Sequence, residues 1–120
     1  MKRELDSAAQ FLIRHMKKAK SGITNLQLKR FYKLFIASFY TRYKSIWIPH
    51  LPNKCSSFRC IRICDTYIDP TLQYVCETVK ILPTIWSQVF SCGILLKIDP
   101  NSVTFFYNDV CYIIYNNPTD

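Results

Sequence analysis

The side chains able to carry chemistry are few and badly spaced for most of it. Two histidines (His15, His50) and two glutamates (Glu4, Glu77) offer no close acid–base pair and no metalloprotease motif. The only glycines, Gly22 and Gly93, are too far apart to form a phosphate-binding loop or a dinucleotide fingerprint. His50, Cys55, Cys60 and Cys64 lack the paired knuckles that gather four ligands around zinc, so no metal and no cofactor is expected. A cysteine nucleophile assisted by His50 would have no orienting partner, so no catalytic residue is assigned. These residues point away from an enzyme and toward a binding module. With no signal peptide evident, the six cysteines read as reduced thiols packed as small buried hydrophobes.

Charge is more informative. Residues 1–62 hold fourteen Lys/Arg against two acids, a net of +12, whereas residues 63–120 hold Lys80 and Lys97 against six acids, a net of −4. A basic half of this kind either solvates the outer faces of helices or meets an anionic partner. Lys17, Lys18, Lys29, Arg30 and Lys33 are the residues that would meet phosphates if the domain bound nucleic acid.

The elements that hold these residues follow from apolar spacing. With 49% apolar residues, 120 residues suffice for one core, and the chain reads as a single domain over 1–120 without a C-terminal extension. Leu5, Ala8, Ala9, Leu12, Ile13 and Met16 form one stripe of a first helix, closed by Ser21 and Gly22. Thr24 and Gln27 form a capping box that opens a second helix. Leu28, Phe31, Tyr32, Phe35, Ile36, Phe39, Tyr40, Tyr43 and Trp47 give that helix a wide buried face. Pro49 and Pro52 stop it, and 48–57 reads as an ordered loop. Residues 58–64 read as a strand with an arginine beside buried groups. Asp69-Pro70 opens a third helix on Leu72, Val75, Cys76 and Val79, and a short helical piece follows Pro83. Three strands, 94–98, 103–107 and 110–115, complete an α+β domain with helices packed on a small, mostly antiparallel sheet. The uncharged stretch 81–96 is interrupted by Pro83, Ser87, Gln88, Ser91 and Gly93, so no membrane segment is expected.

Tyr43, Lys44, Trp47, Pro49, Pro52, Lys54, Phe58, Arg59, Cys60, Ile61, Arg62 and Ile63, followed by Ile68-Asp69-Pro70 and Leu96-Lys97-Ile98-Asp99-Pro100, resemble the two signature boxes of the BTG/Tob antiproliferative family. The likeness covers nearly the whole chain. It implies a non-catalytic adaptor acting in mRNA deadenylation, cell-cycle regulation and transcription, in cytoplasm and nucleus. Its implied partners are a Caf-type deadenylase subunit of the CCR/NOT complex and transcription factors. Carried over residue by residue, the deadenylase-binding surface comprises Phe58, Asp69 and Asp99, with Lys97 where the family has tryptophan. Phe90-Ser91 likewise replaces the Leu-Pro pair that opens the second box.

Overall fold

A computed structural model describes residues 1–19 and 22–117. Helix α1 (Lys2–Lys18) buries Leu5, Ala8, Ala9, Leu12, Ile13 and Met16, the stripe read from the sequence. It stops at Ala19, whose backbone is extended. Gly22 takes the expected left-handed φ of +74°, and Ser21 lies outside the described residues. The buried Glu4 carboxylate ties the start of α1 to the chain terminus and accepts the Asn101 amide at 2.8 Å, linking the helix to a turn of the sheet.

Helix α2 (Asn25–Tyr43) starts at the anticipated capping box. Thr24 Oγ1 accepts from the Gln27 amide at 3.1 Å, while Gln27 Oε1 accepts from the Thr24 amide at 2.9 Å. Its buried face is narrower than the sequence suggested. Leu28, Phe31, Phe35, Phe39 and Tyr43 are buried, Tyr32 and Ile36 lie at the margin, and Tyr40 is exposed. Trp47 lies past the end, because a 3-10 turn (Lys44–Ile46) tightens the last turn before the chain extends.

The sheet is wholly antiparallel, in the order β2-β1-β3-β4-β5, with strands β1 (Cys60–Cys64), β2 (Tyr67–Ile68), β3 (Ile94–Asp99), β4 (Ser102–Tyr107) and β5 (Val110–Asn116). The two-residue β2 was not anticipated, being too short to carry a periodic signal. Helices α3 (Pro70–Thr78) and α4 (Ile85–Val89) connect β2 to β3. The β4–β5 hairpin turns at Asn108 and Asp109, both with positive φ, as a two-residue primed turn demands. All helices lie on one face of the sheet, against Ile61, Ile63, Ile94, Leu96, Ile98 and Val103. Period-2 alternation therefore turns Cys60, Arg62, Leu95, Lys97, Thr104, Phe106, Cys111 and Ile113 to the other face. Gly93 is needed at the start of β3, because a Cβ there would lie 2.8 Å from the Ile63 carbonyl oxygen and its φ is +76°.

The cysteines depart from expectation. Only Cys76 is buried; Cys55, Cys60 and Cys64 are half-buried, and Cys92 and Cys111 are exposed. Strand alternation places Cys60, Cys64 and Cys111 on the open face, and Cys55 and Cys92 lie in turns, so none of these thiols is part of the core. No helix of the described residues is long and apolar enough to cross a membrane.

Candidate interaction surface

The expected strand 58–64 begins late, and the reason organises the site. Cys55 adopts a left-handed backbone, and Ser56–Arg59 closes into a 3-10 turn with the Phe58 amide donating to the Cys55 carbonyl at 3.0 Å. This turn points Arg59 inward, where it is fully buried. Its Nε donates to the Ile98 carbonyl at 2.8 Å. Nη1 donates to the Ile46 and Lys54 carbonyls at 2.7 and 3.0 Å, and Nη2 to the Pro52 carbonyl and Asp99 Oδ1 at 2.9 and 3.0 Å. The Trp47 ring packs against the guanidinium at 5.4 Å. One side chain thus satisfies the Ile46, Pro52 and Lys54 carbonyls before the turn and the Ile98 carbonyl of β3, and a buried charge is balanced by a carboxylate and four dipoles.

Asp99 is the second half of that anchor. It is 8% exposed, and the same Oδ1 accepts from Ser56 Oγ at 2.7 Å, so it fixes both ends of the 3-10 turn to the end of β3. Phe58 is carried on the outside of this turn, 68% exposed, although a phenyl ring is usually buried. Lys97, two residues before Asp99, lies half-buried on the open face between Cys60 and Thr104. Burial pushes the Cys60 thiol above its usual range, and the neighbouring Lys97 charge opposes that shift.

Asp69 lies on the far side of β1 and is 2% exposed. Its Oδ1 accepts the Thr71 and Leu72 amides at 2.9 and 3.2 Å, capping α3, and both its oxygens accept from Arg42 Nη1 at 2.9 Å. Its own amide donates to the Arg62 carbonyl at 2.9 Å, joining α3 to β1. Burial also pushes the Tyr43 phenol well above the usual tyrosine range; Arg42 and Arg59 oppose this, and Asp69 adds to it.

Phe58, Lys97 and Asp99 therefore meet where the 3-10 turn packs on β3, whereas Asp69 is one strand away. Phe58 and Lys97 are accessible; Asp69 and Asp99 turn their oxygens into the structure. Phe106 and Ile113, on the same open sheet face as Lys97, are exposed at 38% and 69%. Sequence reasoning did not single them out, though their alternation in β4 and β5 carried the signal. Among the described residues, no three metal-ligating side chains gather anywhere.

The BTG family model matches residues 1–115. The chain is 27% identical over 102 residues to Protein BTG2 of Rattus norvegicus, covering 85% of this chain and 63% of that protein. It is 29% identical over 118 residues to the Maternal B9.15 protein of Xenopus laevis, covering 88% of this chain and 50% of that one. It thus spans only about half to under two thirds of the length of these relatives. Among solved structures, the BTG/Tob domain of C. elegans FOG-3 superposes with a TM-score of 0.80 at 14% identity, over 98% of this chain and 83% of that one, a likeness of fold. With the family model running from the first residue to the last strand, this chain belongs to the BTG family.

Proposed function

We propose that this chain is a non-catalytic, antiproliferative adaptor that offers the surface around Phe58 and Lys97 to a Caf-type deadenylase subunit of the CCR/NOT complex and so promotes shortening of poly(A) tails. The observation that carries the reading is Phe58, a large aromatic ring 68% exposed on a turn made rigid by a buried arginine. A preformed apolar anchor of this kind loses little entropy on binding and is the type of residue that dominates interface energetics. In this reading Phe58 and Lys97 touch the partner, while Asp99 and Asp69 hold the turn and α3 that frame it. Such an adaptor works in cytoplasm and nucleus, and the same face serves transcription factors.

Titration calorimetry with the purified deadenylase subunit tests it. Phe58→Ala lowers affinity by about thirtyfold, the effect of losing a hot-spot aromatic worth about 2 kcal/mol. Lys97→Trp raises affinity, because an indole removes the desolvation cost of an ammonium group and adds apolar contact. Absence of binding by both the natural chain and Lys97→Trp at micromolar concentration overturns the proposal.

A further inference from the structure

The helical layer carries charge that the adaptor surface does not use. Helix α2 contains four basic residues, Lys29, Arg30, Lys33 and Arg42, with Lys44 at its C-cap, and no acid. Ordinary solvated helix faces intersperse both signs, since opposite charges one turn apart stabilise the helix and like charges do not. The two acids of α1 are already engaged. Glu4 is buried against Asn101, and Asp6 Oδ1 accepts from the Tyr32 hydroxyl at 2.6 Å. Among the described residues, Arg42 is the only cation of these two helices held in a side-chain ion pair.

Two of these, Lys29 and Lys33, meet Lys17 of α1 at a concave site. A hollow of about 490 Å³ between α1 and α2 is lined by Gln10, Lys17, Asn25, Lys29, Tyr32 and Lys33 with an apolar floor. We propose that this hollow binds the phosphodiester backbone of a single nucleic-acid strand, independently of its sequence. All three cations are lysines. They act as freely turning point charges that meet phosphate oxygens in many orientations, which suits a backbone held without fixed bidentate geometry. Lys29 and Lys33 are one turn apart, about 6 Å along the helix, so they address a repeating charge rather than one anion. Gln10 and Asn25 add neutral donors at the rim. No free aromatic face lines the hollow for base stacking, because Tyr32 is half-buried with its hydroxyl held by Asp6. The backbone is therefore the part recognised.

Fluorescence anisotropy of labelled RNA and DNA oligomers of about 20 nucleotides, with the whole chain and no deadenylase, tests this separately from the adaptor reading. Three phosphate contacts predict an affinity that falls about twentyfold between about 50 and 200 mM salt, equal for RNA and DNA. The triple variant Lys17→Gln, Lys29→Gln, Lys33→Gln flattens that dependence. A control triple, Lys2→Gln, Lys44→Gln, Lys80→Gln, removes the same charge elsewhere and retains it. The proposal is overturned if neither oligomer binds at about 50 mM salt, or if both triples lose affinity equally. It is also overturned if poly-glutamate of matched charge binds as tightly, which would make the occupant an acidic protein surface.

Discussion

Two arginine–aspartate pairs flank β1, and they are built the opposite way round. Counted on side chains alone, in Arg59–Asp99 the arginine is fully buried and its carboxylate partner 12% exposed; in Arg42–Asp69 the arginine is 34% exposed and the carboxylate 4%. Arg59 spreads its donors over four carbonyls of a loop and the end of β3, with one carboxylate oxygen as counter-charge. Arg42 instead lies across the Phe39 and Tyr43 rings with its outer edge in water, and the burden falls on Asp69, which caps a helix. The same ion pair therefore acts differently according to which partner is buried. The buried arginine organises irregular backbone, and the buried aspartate organises a helix start.

The strongest way to break this contrast is to remove Arg59. Arg59→Ala strands the four carbonyls and Asp99, and costs about 3–5 kcal/mol of stability, the range for breaking a buried pair. Denaturant midpoints measure it, and tryptic cleavage at Lys54 accelerates in the same variant because the loop loses its anchor. Arg42→Ala, whose guanidinium remains partly hydrated, costs under about 1 kcal/mol. Equal losses for the two arginines would refute the distinction.

Asp69 sharpens it from the other side. Asp69→Ala removes the α3 cap and costs about 1–2 kcal/mol, more than removing its own ion-pair partner. Asp69→Asn keeps an acceptor for the Thr71 and Leu72 amides and recovers most of the loss. Hydrogen exchange at those two amides reads the local effect: it speeds in Asp69→Ala and stays near the natural rate in Arg42→Ala. If Arg42→Ala opens the amides equally, the helix start depends on the pair and not on the cap.

Much of this frame is legible in residue types and spacing alone. The α1 stripe, the Thr24–Gln27 box, the Asp69-Pro70 helix start and the Asn108-Asp109 turn each rest on local chemistry, and each lies where its residues require. The hub at Arg59 was only half legible. An arginine alternating with Ile61 and Ile63 announced a buried charge, but its partners come from 46, 52, 54, 98 and 99, and long-range convergence leaves no periodic trace. For the same reason 58–59 read as strand: Phe58 and Arg59 continue the alternation of β1, while the turn is dictated by where the guanidinium must go. Phe58 and Lys97 were legible as residues of interest, and Asp69 as a helix cap; that Asp99 faces inward follows from anchor geometry that types alone do not carry. The zone around Phe106 and Ile113 was hidden because a strand pattern gives two faces and no indication that only one is covered by helices.

The residue between the two pairs gives a further test. Tyr43 is buried, its ring lies 5.5 Å from the Arg42 guanidinium, and its hydroxyl has no hydrogen-bond partner among the described residues. An orphaned buried hydroxyl costs free energy, so Tyr43→Phe makes the protein about 1 kcal/mol more stable at neutral pH. The variant also changes the alkaline limb. Burial holds the folded phenol well above 10, the value of an unconstrained tyrosine. Both states keep the proton below that value. Above it, the unfolded chain releases the proton first, and stability falls by up to about 1.4 kcal/mol per pH unit. Cys76, pushed by burial from 9.0 up to about 12, starts a similar decline from pH 9 in both proteins and cancels in their difference. The stability gap between Tyr43→Phe and the natural chain is therefore flat to about pH 10 and widens beyond it. A gap that stays constant to pH 11 would mean that the phenol ionises as readily in the fold as in the open chain, and that the space between the two ion pairs admits water.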